Sequence, residues 1–132
     1  MTESAALSAF VAGTISFNAL RNAVAESTDF RFQPGNGVHV TSRRPLPRTI
    51  ICPGDVKRVL ERYQDGQLTV EEIAIWGLVI NSLDAFELVG VSEYEAESVW
   101  DIVSQLSLAS VNRAFTPERI SQLLQRIDDV TK

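Results

Sequence analysis

Cysteine, histidine and methionine each occur once in this 132-residue chain. The single Cys52 cannot close an internal disulfide, and no CxxC or Cys/His spacing is present to hold zinc, so neither a disulfide framework nor a structural metal shapes the fold. Long apolar runs are also lacking. The longest, Ile73 to Ile80, falls far below the ~20 residues that span a bilayer, and Met1-Thr2-Glu3-Ser4 lacks the positive flank of a secretory signal. These absences predict a soluble, cytoplasmic protein without membrane contact. No phosphate loop or dinucleotide fingerprint occurs, since Pro34-Gly35-Asn36-Gly37 is too short and reads as a turn, and no cofactor is expected. Low-complexity tracts are missing too, which leaves one globular domain over residues 1–132 with only the termini and a short Pro/Arg segment reading as loose.

What the chain does contain is helix punctuation. Leu7, Phe10 and Val11 share a helical face, Gly13 supplies the left-handed position that ends helices, and Ser16 caps a second helix over roughly 17–26. Further on, Pro53 suits a first helical turn, Val56, Val59, Leu60 and Tyr63 line one face, Gly66 ends the helix, and Thr69 with Glu72 makes a capping box. Residues 73–80 are apolar on nearly every side, the pattern of a helix buried among several neighbours. Ser92 with Glu95 is another capping box, ahead of Val99, Trp100, Val103 and Leu106. Thr116-Pro117-Glu118 then opens a last helix carrying Ile120, Leu123, Leu124 and Ile127.

One region reads differently. Residues 30–33 and 38–41 alternate in the strand period around Pro34-Gly35-Asn36-Gly37, which predicts a β-hairpin, and Thr49-Ile50-Ile51 offers a third short strand. Between them residues 42–49 form a basic, Pro/Arg-rich connecting segment that proline keeps extended. The expected fold is therefore mainly α, about six helices in αα-hairpins, with one small β-hairpin near residues 30–41.

The pattern Leu-x-x-aromatic-x-x-Gly-x-aliphatic-Ser/Thr is written twice, at Leu7, Phe10, Gly13, Ile15 and Ser16, and again 53 residues later at Leu60, Tyr63, Gly66, Leu68 and Thr69. Nothing in it is chemically reactive, and two helical hairpins built by the same rules account for it. A DNA-reading helix-turn-helix also has a glycine in its turn. Here, however, the second helix of the later copy opens with Glu71 and Glu72, where a recognition helix must approach phosphate. Phe17 and a lone Arg21 make a poor reading surface in the earlier copy.

Charge is segregated more strongly than the net −5 suggests. From Arg31 to Arg62 seven cations face two acids, Asp55 and Glu61, whereas Tyr63 through Asn112 contains no Lys or Arg and nine carboxylates. Several of those acids occupy helix N-termini, which favour them for structural reasons, but a surface of one sign also steers an oppositely charged partner. Catalytic constellations are not visible. His39 lies in a predicted strand with no marked partners, Cys52 belongs to an apolar run and reads as a small core residue, and Trp76 and Trp100 read as core. Glu93, Glu95 and Glu97 do not share one helical face.

The arrangement Leu60-x2-Tyr63-x2-Gly66-x-Leu68-Thr69-x2-Glu72-Ile73-x2-Trp76, followed by the Trp100 and Thr116-Pro117-Glu118 helices, resembles a loose group of small uncharacterised bacterial helical proteins over residues 55–130. Some of these are taken to be immunity proteins that neutralise toxins. The resemblance carries no binding residue across. Together with the acidic half of the chain it implies a non-catalytic protein that binds another, basic protein, immunity- or antitoxin-like, through Glu71, Glu72, Glu93, Glu95, Glu97 and Asp101. The alternative is a nucleic-acid-associated regulator using Arg43, Arg44, Arg48, Arg58 and Arg62 in the basic 43–62 segment, which Glu71 and Glu72 disfavour. Apolar helices with two tryptophans leave homodimer formation open.

Overall fold

A computed structural model describes residues 2–33, 37–109 and 116–131. It contains, in order, α1 (Glu3–Ala12), α2 (Phe17–Ala23), β1 (Thr28–Gln33), β2 (Gly37–Ser42), β3 (Thr49–Ile51), α3 (Pro53–Gln64), α4 (Val70–Ser82), β4 (Phe86–Leu88), α5 (Glu93–Ser107) and α6 (Pro117–Thr131). The mainly α fold with a small antiparallel hairpin is as the sequence predicts.

Each helix start follows from its cap. The hydroxyls of Thr2, Ser16, Thr69 and Ser92 accept the N–H groups of Ala5, Ala19, Glu72 and Glu95, and Glu72 and Glu95 return the bond to the N-cap N–H. The two glycine stops share one geometry. Gly13 and Gly66 have φ of 78° and 79°. In the first, the Gly13 N–H donates to Phe10 O at 3.0 Å and Thr14 N–H to Ala9 O at 2.9 Å. In the second, Gly66 N–H donates to Tyr63 O at 3.1 Å and Gln67 N–H to Arg62 O at 2.8 Å. Both are Schellman closures, so the repeated pattern is a repeated turn.

Core packing places α4 against α5 and α3 against α6. In α4, Ile73, Ala74, Trp76, Gly77, Val79 and Ile80 are buried and Ile75 is half-buried, in keeping with its all-round apolar pattern. The hairpin pairs Thr28 with Ser42 through Gln33 with Gly37, so its open end runs two residues further in β1 and one further in β2 than the alternation predicts. The turn residues Pro34, Gly35 and Asn36 lie outside the described residues.

The third strand forms, but not beside the hairpin. β3 runs parallel to β4, with Thr49 opposite Phe86 and Ile51 opposite Leu88. Parallel neighbours need a long crossover, and the α3–α4 pair supplies it. The second glycine-turn hairpin is thus the connection of a β-α-α-β unit. Cys52 is also placed differently from its core reading: it is the half-buried N-cap of α3, because Pro53 starts the helix immediately after it.

Candidate functional site

The residues with reactive side chains do not converge. His39 is exposed on β2, opposite Arg31. The Cys52 N–H donates to Asp55 Oδ2 at 2.9 Å, and its Sγ lies 3.3 Å from the same oxygen, an arrangement that closes the α3 N-terminus. Among the described residues no group of three or more His, Cys, Asp or Glu side chains could hold a metal ion.

The sequence-proposed acidic residues separate into two kinds. Three are engaged within the fold: Glu72 and Glu95 in capping boxes, and Asp101 in an ion pair with Arg126 at 3.0 Å. The Ser92 hydroxyl and N–H hold Glu95 below the usual carboxylate range, and the Arg126 guanidinium does the same for Asp101 against a smaller opposing effect of burial. Glu71, Glu93 and Glu97 are exposed and make no hydrogen bond or ion pair with the described residues. Glu93 and Glu97 stand one helical turn apart on the same side of α5, once Glu95 is turned back to its cap. Tyr94 lies beside them and is 86% exposed, a feature periodicity could not single out because it falls between acids in a polar first turn.

Every arginine proposed as a basic arm is engaged internally. Arg43 pairs with Asp29 at 2.7 Å and donates to the carbonyls of Glu26 and Ala25. Arg44 donates to Ser27 Oγ at 2.7 Å and pairs with Glu26, Arg48 with Asp84 and Arg58 with Asp55. Arg62 donates to Gly13 O at 2.8 Å. The 42–49 segment is therefore tied at its beginning, by Arg43 and Arg44, to residues 25–29 at the start of the hairpin, and at its end, by Arg48 and Thr49, to Asp84 and Ala85. The mutual Arg43 bond holds Asp29 below its ordinary value, as Asp128 holds Lys57 above its own. Among the described cations, Arg31 alone lacks a hydrogen bond or salt bridge, so the uncompensated surface charge is negative.

A cleft of about 440 Å³ opens where the two glycine turns meet. The first turn contributes Phe10, Ile15 and Phe17, the second Leu68, Ile75 and Trp76, with Arg62 and Glu72 as its charged members. The two turns are held together from one side only. Arg62 donates to Gly13 O, and Trp76 Nε1 donates to Phe10 O at 3.2 Å. At the 53-residue offset the counterparts of Arg62, Glu72 and Trp76 are Ala9, Ala19 and Ala23. That contrast was readable by laying one copy over the other, and it marks the residues that make the second copy more than a turn.

No family model, curated protein or solved structure matches the chain. No helix among the described residues is long and apolar enough to cross a membrane.

Proposed function

We propose that the chain is a non-catalytic protein that binds another protein bearing a cationic face, through the exposed first turn of α5. The observation that carries this reading is the trio Glu93, Tyr94 and Glu97: two carboxylates without partners among the described residues flanking an aromatic side chain left 86% in solvent. Tyrosine is enriched among the residues that anchor interfaces. The unpaired carboxylates draw a basic partner and set orientation, and the tyrosine supplies buried area on contact. The engaged arginines support a protein partner over nucleic acid, since phosphate would have to compete with the internal bonds that Arg43 and Arg44 make at the hairpin and that Arg48, Arg58 and Arg62 make elsewhere. An immunity protein neutralising a basic toxin is one function of this class, and its support is the resemblance of residues 55–130.

The test is capture of a partner from a native-host lysate on the immobilised chain, with the partner then purified. Its binding to the chain should weaken with salt and fall at least tenfold in a Glu93→Lys/Glu97→Lys variant, and similarly in Tyr94→Ala. A captured protein that binds all three chains equally defeats the proposal.

A further inference from the structure

We propose that the cleft between the two glycine turns binds a small zwitterion, an α-amino acid with a large apolar side chain. At about 440 Å³ the cleft falls within the range of small-molecule sites. Its walls are mostly apolar, built from Phe10, Ile15 and Phe17 on one side and Leu68, Ile75 and Trp76 on the other, with Thr14, Ser16 and Asn18 as uncharged polar members.

The charges decide the ligand class. Arg62 and Glu72 both line the cleft, yet no ion pair joins them. Each is fixed by one bond to backbone and keeps capacity to spare. Arg62 uses Nη1 on Gly13 O, leaving guanidinium donors without partners among the described residues. Glu72 accepts the Thr69 N–H at Oε1, leaving Oε2 without a partner among the described residues. Two opposite charges held apart in one apolar cleft disfavour a ligand of single charge, because either sign meets a like charge there. A carboxylate on Arg62, an ammonium on Glu72 and a hydrophobic body between the turns answer all three features. The anchoring bonds orient both groups before the ligand arrives, which lowers the entropy lost on binding. The first copy carries Ala9 and Ala19 at the equivalent positions, so the charged pair belongs to this cleft and not to the turn motif.

Isothermal titration of the full chain with L-phenylalanine, phenethylamine and 3-phenylpropionate tests the proposal. L-Phenylalanine should bind saturably, with each single-charge analogue at least tenfold weaker. Glu72→Gln retains the capping bond, since glutamine serves in a capping box; it should weaken L-phenylalanine about tenfold and bring 3-phenylpropionate level with it. Leu68→Trp, which fills the cleft, should abolish binding while circular dichroism stays native. The proposal is overturned if L-phenylalanine, L-leucine and L-tryptophan all fail to bind the folded chain at millimolar concentration. It is equally overturned if a single-charge analogue binds the wild-type chain as tightly as L-phenylalanine.

Discussion

Replacing Gly77 with alanine sets two effects of opposite sign against each other. Gly77 lies inside α4, where alanine is favoured by about 1 kcal/mol on helix propensity alone. Against this, a Cβ at Gly77 would stand 2.6 Å from Ser107 N and 3.0 Å from both Leu106 C and Val103 O. These are backbone atoms of the last turns of α5, so no side-chain rotation relieves the clash. The α4–α5 seam must open by the better part of an ångström, and overpacking of this kind costs about 1–3 kcal/mol or more. Because the obstructing atoms are backbone, the upper part of that range applies, and Gly77→Ala should destabilise the chain by a net ~1–2 kcal/mol. At this chain length that corresponds to a Tm lower by roughly 3–10 °C. Thermal melts and urea titrations followed by circular dichroism would measure it, with m unchanged if only packing is affected. A variant as stable as the parent, or more stable, would show that propensity decides and that the close helix crossing is not a constraint.

Asp101→Asn should cost well under 1 kcal/mol at pH 7, because its pair with Arg126 is solvent-exposed on both sides. Arg126 depresses the Asp101 pKa, so this contribution is complete above about pH 4 and disappears as pH falls through the lowered native value. Urea midpoints of the two chains should converge on acidification, and a gap that widened would contradict the assignment. Trp76→Phe should cost about 1.5–3 kcal/mol in urea titration, from the lost indole bond to Phe10 O and the cavity left beside it. The carbonyl is not orphaned, since it still accepts from Gly13 N–H, so a much larger loss would point to another role for the ring.

The helices were legible because their boundaries are local chemistry: Gly13 with Ser16, Gly66 with Thr69 and Glu72, Ser92 with Glu95 all act within a few residues of themselves. The hairpin was legible for the same reason, through alternation on either side of a turn. β4 was not, because a three-residue strand shows no period and its partner Thr49–Ile51 lies on the far side of two helices. Arg43 and Arg44 read as an exposed arm because their acceptors are Glu26, Ser27 and Asp29, brought opposite them only by the hairpin register that pairs Thr28 with Ser42. Tyr94 and the cleft were missed by the same rule, since exposure and concavity are properties of the assembled chain. What the sequence did hold, unread, was the alanine set at positions 9, 19 and 23 against Arg62, Glu72 and Trp76.

That contrast makes the two turns a built-in control for each other. Gly13→Ala and Gly66→Ala each force an alanine into the left-handed region at nearly identical φ, a shared penalty of about 1–2 kcal/mol. Their surroundings differ. A Cβ at Gly66 meets nothing within 4 Å, whereas at Gly13 it collides with the Arg62 guanidinium. The side chain can swing aside, but only by giving up its bond to Gly13 O, a charge-assisted bond worth roughly 1.5–3 kcal/mol. Gly13→Ala should therefore cost more than Gly66→Ala by about that amount. In an Arg62→Ala background the bond is already gone, and the two substitutions should become equal to within about 0.5 kcal/mol. Equal costs in the wild-type background would mean that Arg62 does not hold the first turn, and that the two hairpins are joined by the Trp76 bond to Phe10 O and apolar packing.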